Sequence, residues 1–149
     1  MNQLPRLDDF PCRSYDKLRY GDTDRQGHVN NAVFATFLET GRVEMIFAAN
    51  EPLLEDGFSF VVAKLEINYL AEILWPGTVD IGTRIVKVGR SSVTMQQAVF
   101  QNGVCCASAE TVVVHFDQST RRSHAFSDAQ RVRLLGADAD EPVAATDAL

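Results

Sequence analysis

The stretch Tyr20-Gly-Asp-Thr-Asp-Arg-Gln-Gly-His-Val-Asn-Asn31 concentrates reactive groups, with Asp22, Asp24, His28, Asn30 and Asn31 falling within ten residues. Three kinds of chemistry use such a set. A calcium loop would take Asp22, Asp24, Gln26 and Gly27 at its positions 1, 3, 5 and 6, but position 12, which needs a bidentate Glu, is Val33. A transition metal would need more than His28 and one carboxylate, and His115 and His124 have no ligand-like spacing to them. Turn chemistry is the second reading. Asp, Asn and Gly are ordinary in a strand-to-helix connection, and Asn30 or Asn31 suits a helix N-cap. A turn, however, needs one cap and one glycine, not a second carboxylate and a histidine as well.

The third reading is addition to a carbonyl. A helix start offers backbone N–H groups without intrahelical acceptors and the positive end of the dipole, which together suit a developing oxyanion. Gly27 lets a substrate approach the backbone closely. A carboxylate earlier on the same loop can activate water or attack directly. A thioester fits best, because its electrophilic carbonyl does not demand a Ser/His/Asp set. No cysteine lies near this loop in sequence.

These groups need a strand before them and a helix after them. Residues 32–49 place Val33, Phe34, Phe37, Leu38, Met45 and Ile46 at helical spacing, with Gly41 in the interior marking a close approach to something packed across it. Strands follow by alternation. In residues 60–70, Val61, Ala63, Leu65, Ile67 and Tyr69 share one face, opposite Lys64, Glu66 and Asn68. Trp75-Pro76-Gly77 turns into residues 78–88, where Val79, Ile81 and Ile85 share a side. Gly89 to Ser91 turns into residues 92–101, and Asn102-Gly103 marks a tight hairpin into residues 104–116. A final helix starts at Ser127, with capping-box spacing to Gln130, and stops at Gly136. One long helix on a sheet of long, mostly antiparallel strands is an α+β architecture. A single helix covers one face of such a sheet, so the other face and an edge strand call for at least a dimer.

The 149 residues form one domain, 1–136, followed by an acidic, alanine-rich tail, 137–149, expected to be flexible. A net charge of −6 excludes a nucleic-acid scaffold, while leaving room for a local basic pocket that meets one phosphorylated group. The N-terminus lacks a signal pattern and no apolar run approaches membrane-spanning length, so a cytoplasmic protein without a membrane partner is expected. Cys12, Cys105 and Cys106 give no disulfide framework. Neighbours in a strand point to opposite faces, and all three read as buried small hydrophobes in a reducing compartment.

The run YGDTDRQGHVNNAVFATFLETGR resembles the signature of the hotdog-fold acyl-CoA thioesterases of the 4-hydroxybenzoyl-CoA thioesterase type: aromatic-x-D-x-D-x-x-G-H-V-N-N, then a helix ending in E-x-x-R. The likeness extends through Asn68-Tyr-Leu-Ala-Glu-Ile73 and Val88-Gly-Arg-Ser-Ser92, covering about residues 13–120. It implies a hotdog fold, one long central helix wrapped by a five-stranded, mostly antiparallel sheet. It further implies an acyl-CoA thioesterase that releases a carboxylic acid and free CoA. Carried over by position, Asp24 is the catalytic general base or nucleophile, and Gly27 and His28 lie where a backbone N–H polarises the carbonyl. His28, Asn30 and Asn31 shape the pocket, while Asp22 orders the loop. Phe34, set against the acyl group, stands where a tyrosine is common, and Gly41 where alanine is frequent. Arg90, Ser91 and Ser92 lie in the segment near the pantetheine arm and the nucleotide, where Lys87, Arg121 and Arg122 could add to phosphate binding. Glu39 and Arg42 are assigned structural roles. No cofactor is implied, CoA being part of the substrate. The resemblance also implies a homodimer or dimer of dimers with both chains contributing to each site.

Two alternatives stay open. Hydratases of this fold carry Asp-x-Asn-Pro-x-His, and here the interval from Asp22 to His28 is one residue longer and lacks the proline. A non-enzymatic acyl-CoA-binding module would keep the pocket without turnover. The motif says little about the acyl group, whose fit would depend on Phe34, Phe37, Phe58, Phe60 and the partner chain.

Overall fold

The computed structural model describes residues 3–47 and 53–136. Strand β1 (Cys12–Lys17) leads through a single 3-10 turn, Tyr20–Asp22, to helix α1 (Asn31–Phe47). Then come β2 (Phe58–Tyr69), β3 (Thr78–Val88), β4 (Ser92–Gln101), β5 (Val104–Asp117), the short β6 (Arg122–Ser123) and α2 (Asp128–Gly136). The five long strands lie in the order β1-β3-β4-β5-β2, every pairing is antiparallel, and β6 adds a two-residue sixth strand beside β5. α1 packs chiefly on β1, β3 and β4. The expected end of the first helix, 48–49, and the expected tail, 137–149, lie outside the described residues.

The expected turn and cap chemistry is in place. Asn102 and Gly103 take the left-handed conformation that a two-residue hairpin demands. At α2, Ser127 Oγ accepts the Gln130 amide at 3.1 Å and Gln130 Oε1 accepts the Ser127 amide at 3.1 Å, a closed capping box.

The contact between helix and sheet is apolar at both ends and polar across the middle. One cluster gathers Phe34, Phe37, Leu38, Val79, Ile81 and Val99, and a second gathers Met45, Ile46, Ile85, Val93, Met95 and Val113. Between them in sequence on every element lie Arg42, Thr83, Gln97 and Thr111, all buried. Arg42 Nη1 donates to Gln97 Oε1 at 3.2 Å and to Thr111 Oγ1 at 3.4 Å. Gln97 Nε2 donates to the Leu38 carbonyl of the helix at 2.9 Å and to Thr83 Oγ1 at 3.0 Å. Burial pulls the Arg42 guanidinium below its ordinary pKa, and Glu39 partly restores it. Such closeness needs a helix without a side chain at position 41. A Cβ there would sit 2.7 Å from Ile81 Cγ2 and 2.8 Å from Thr83 Oγ1.

β2 departs from simple alternation. Its register against β5 shifts between Val62 and Lys64, leaving Ala63 as a bulge. Cross-strand partners share a face, so Phe60 and Val62, opposite His115 and Val113, face the helix side together with Leu65, Ile67 and Tyr69. The expected shared face is therefore right for Leu65, Ile67 and Tyr69 and wrong for Val61 and Ala63. Beyond the reach of α1, the β2 edge exposes Val61, Val62, Leu65, Tyr69 and Leu70, and Val43 and Phe47 of α1 are exposed as well.

At the far end, His115 is fully buried between the rings of Phe58 and Phe126, at 4.7 and 4.8 Å. Its Nδ1 lies 2.7 Å from the His124 carbonyl, so that nitrogen carries the proton. This histidine is a structural one.

Substituting Gly41→Val should destabilise the protein by about 2 kcal/mol through overpacking against Ile81 and Thr83, whatever the gain in intrinsic helix propensity. Urea unfolding midpoints measure it, and a Gly41→Val midpoint equal to wild type would contradict the close approach.

Candidate active site

The loop after β1 is built around its two carboxylates. Asp22 is buried, and it closes the base of the loop. Its Oδ2 accepts the Arg19 amide at 2.9 Å, its Oδ1 accepts the Arg19 guanidinium at 3.1 Å, and its carbonyl accepts the Asn30 amide at 2.8 Å. Asp24 is exposed. Its Oδ1 accepts the amides of Gln26 at 2.9 Å and His28 at 3.2 Å, while its own N–H donates to the His28 carbonyl at 2.8 Å. One oxygen orients the carboxylate and the other, Oδ2, has no donor among the described residues. Gly27, at φ +85°, makes the turn between them, in a region costly for any residue with a Cβ.

Helix α1 opens beside this carboxylate. Asn30 is the N-cap, its Oδ1 accepting the Ala32 amide at 3.0 Å. The two N–H groups expected to polarise a carbonyl are already engaged, Gly27 N–H on the Asp24 carbonyl at 3.2 Å and His28 N–H on the Asp24 side chain. The N–H of Asn31, at the first helical position, has no acceptor among the described residues. It is the donor at the positive end of α1.

The opposite wall comes from the connection between β2 and β3. The Val29 amide donates to the Ile73 carbonyl at 2.8 Å, and His28 bridges Leu74 through the backbone. Leu74 is clamped in turn by the Gln101 carboxamide, at 3.1 and 2.8 Å. Tyr69 donates its hydroxyl to the Asn31 carbonyl at 3.0 Å and sets its ring edge-on to Phe34 at 5.1 Å. Glu72 Oε1 lies 3.1 Å from His28 Nε2. Together Asp24, His28, Asn31, Phe34, Tyr69 and Glu72 line an open cleft of about 340 Å3.

Of the expected site residues, Asp24, His28, Asn31 and Phe34 therefore meet in one place, with Gly27 shaping the loop and Asn30 capping the helix. Arg90, Ser91 and Ser92 do not join them within the chain. Ser92 pairs with Val114, whereas the cleft lies near Tyr69, whose partner Ala107 pairs with Val99. Seven residues of β4 separate the two, roughly 23 Å at strand spacing. The turn has its own support. Arg131 donates to the Val88 carbonyl at 3.0 Å and to the Gly89 carbonyl at 2.7 Å, and the Ser91 carbonyl accepts the His115 amide at 2.7 Å. Phe58 and Phe60 also belong to that far end, around His115, and Phe37 stands behind Phe34 in the core.

Tyr69 and Glu72 were not singled out by sequence. Both stand in the Asn68–Ile73 segment, but their place opposite a loop some forty residues earlier is a property of the fold.

Comparison with known proteins gives the family and the fold. Residues 18–134 match the model of the Thioesterase-like superfamily. The acyl-CoA thioester hydrolase YbgC of Escherichia coli O6:H1 is 31% identical over 112 residues, covering 72% of this chain and 81% of that protein. The acyl-CoA thioesterase YbgC of Haemophilus influenzae is 28% identical over 121 residues, covering 78% of this chain and 86% of that one. A thioesterase of Thermus thermophilus, solved in complex with coenzyme A and zinc, superposes with a TM-score of 0.73 at 36% identity, covering 85% of this chain and 92% of that one. The chain belongs to the thioesterase-like superfamily. Its helix and curled antiparallel sheet are the hotdog fold.

None of the three cysteines lines the cleft, although Cys106 lies behind its wall with Sγ 3.7 Å from the Glu72 carbonyl. Burial, with Glu44 nearby, pushes the Cys12 thiol up to about 11, and burial raises Cys105 and Cys106 as well. A thiol that keeps its proton in the folded state and loses it near 9.0 when unfolded stabilises the fold below that pH. That contribution is lost as pH rises from 9 towards 11. At pH 8, iodoacetamide should leave all three thiols unmodified in the native protein on a timescale that alkylates them fully in guanidinium, as read by mass spectrometry.

Proposed function

We propose that this protein hydrolyses the thioester of an acyl-CoA, giving a carboxylic acid and free CoA, as a cytoplasmic homodimer whose clefts are shared between subunits. The observation that carries the reading is the pairing of a half-tethered carboxylate, Asp24, with the open N–H of Asn31 on one cleft. The names of the relatives and the coenzyme A held by the Thermus thermophilus structure support the substrate class.

In this mechanism the thioester carbonyl oxygen accepts the Asn31 N–H and lies at the positive end of α1. Charge developing on that oxygen is met by a donor that needs no reorganisation. As general base, Asp24 Oδ2 takes a proton from water as the water oxygen bonds to the carbonyl carbon. The C–S bond then breaks, and CoA leaves as its thiolate. As nucleophile, Oδ2 bonds to that carbon directly, expels the thiolate, and leaves an acyl anhydride that water opens. Both routes need the free oxygen and a fixed loop. A hydratase reading gains nothing from the geometry, since Asp22, which would open the Asp-to-His pattern, is locked onto Arg19.

The unpaired β2 edge supports the second subunit. The Tyr69 end of β2 borders the cleft. Its Phe58 end pairs with Asp117 of β5, beside the Val114–Ser92 pairing that starts at the Gly89–Ser92 turn. Antiparallel pairing of two β2 edges would bring one cleft to the partner's turn, where Arg90 and the exposed Arg121 and Arg122 can meet CoA phosphates. The apolar residues beyond α1 would be covered by the same contact.

Free-thiol release from a panel of acyl-CoAs tests the reaction. Wild type should turn over at least one, and Asp24→Asn should lower kcat by about 100-fold or more; equal rates would remove Asp24 from the chemistry. Light scattering tests the assembly. Leu65→Lys should convert a dimer to a monomer and cut activity with it, and an active monomer would overturn the shared cleft.

A further inference from the structure

We infer that Glu72 is a positioning residue for His28, fixing its imidazole against the cleft wall with the proton on Nε2. The inference rests on the thioesterase reading for its catalytic consequence, though not for its geometry.

The backbones of both residues are held on two sides. His28 donates its N–H to Asp24 Oδ1 at 3.2 Å, and its carbonyl accepts the Asp24 N–H at 2.8 Å. Glu72 sits between Ala71, whose N–H donates to the Cys106 carbonyl at 3.1 Å, and Ile73, which is fully buried and accepts the Val29 amide. What remains free is rotation of the imidazole about its side-chain bonds. The 3.1 Å contact from Nε2 to Glu72 Oε1 removes that freedom.

A carboxylate accepts and does not donate, so the ring nitrogen facing it must carry a proton. With a neutral ring, that leaves Nδ1 as the acceptor. The imidazole then offers a lone pair on the same cleft as Asp24 Oδ2 and the Asn31 N–H, able to hold the attacking water. Without Glu72 the ring can rotate and either tautomer can form, and the cleft loses a fixed acceptor.

Stability does not account for the pair. The His28 side chain is 41% and the Glu72 side chain 56% exposed, and polar contacts so open contribute little to folding, whether or not the ring is charged. A contact that matters little to stability yet selects one ring orientation beside the reactive carboxylate is explained by what the ring does there.

Three variants and three readouts decide it. In protein labelled with 15N-histidine and followed over a pH series, the neutral form of the wild-type His28 ring should show a protonated Nε2 and an unprotonated Nδ1. Glu72→Ala should show averaged tautomers, while Glu72→Gln, whose side-chain oxygen still accepts, should keep the wild-type pattern. With the best substrate of the panel, Glu72→Ala should lower kcat about tenfold with KM within about twofold, and Glu72→Gln should retain most activity. His28→Ala added to Glu72→Ala should cost little more, because one function has already been lost. A wild-type tautomer pattern and kcat in Glu72→Ala would overturn the assignment, as would a further large loss of kcat when His28→Ala is added to Glu72→Ala. If no acyl-CoA is turned over by wild type, the thioesterase reading fails while the nitrogen spectra still decide the positioning. Thermal melting should be near wild type for all three variants, and a Glu72→Ala protein that unfolds early would make the residue structural.

Discussion

The polar belt of Arg42, Gln97, Thr83 and Thr111 is the constraint on which the rest of this structure depends. Apolar packing alone would hold α1 on the sheet but fix its position along the sheet weakly, since hydrophobic contacts are not directional. The Gln97 amide removes that freedom by reaching the Leu38 carbonyl at 2.9 Å, and Arg42 ties the next turn of the helix to β4 and β5. A buried guanidinium that loses its acceptors is far more costly than a surface one, so a helix shifted along its axis is penalised heavily. The start of α1 is thereby fixed relative to β2 and β5. That is what puts the Asn31 N–H beside Tyr69 and the Ile73 segment, and not a turn away.

From that anchor the site loop is determined in two steps. Asp22 and Asp24 differ by two positions and by almost everything else. Asp22 faces inward and satisfies both oxygens locally, giving the loop its shape. Asp24 faces outward and uses one oxygen for the turn. The same residue type thus supplies a buried group that shapes the loop and an exposed one that keeps an oxygen open, the one proposed to react. The β2–β3 connection then closes the cleft from the other side. Its own position depends on Cys106 and Gln101, so the far wall inherits its order from the β4–β5 hairpin.

Much of this was legible in sequence where local chemistry decides. β3 and β4 begin and end where their turns and alternation place them, the Asn102-Gly103 hairpin follows from its backbone demands, and the Ser127–Gln130 box forms as its spacing requires. The dense polar run does fold onto one cleft, which Asp24, His28, Asn31 and Phe34 line together. What sequence could not show depends on placement across the fold. A bulge at Ala63 leaves no strong trace in composition, yet it reverses which face Val61 occupies. The family resemblance implies donors at Gly27 and His28, but the folded turn engages both N–H groups. Arg90 lies in a recognisable segment at the wrong end of the chain's own sheet. The partner of His28 lies on a different loop, and spacing along one chain says nothing of that meeting.

The location of Arg90 bears on why such a fold would work as a pair. The cleft at the Tyr69 end holds the groups suited to the carbonyl, and the basic turn at the opposite end holds those suited to phosphate. A thioester joined to a nucleotide through a long arm has the same two-ended chemistry. One chain keeps these ends roughly 23 Å apart along β4 and leaves Asp24 in open solvent. In the proposed dimer, a twofold through the β2 edge would bring the two ends together and shield the carboxylate from water, strengthening the interactions that act on the carbonyl. On this arrangement acyl length is set less by the aromatic residues of the core than by the apolar shelf of Val62, Leu65, Val43 and Phe47, which both subunits would share.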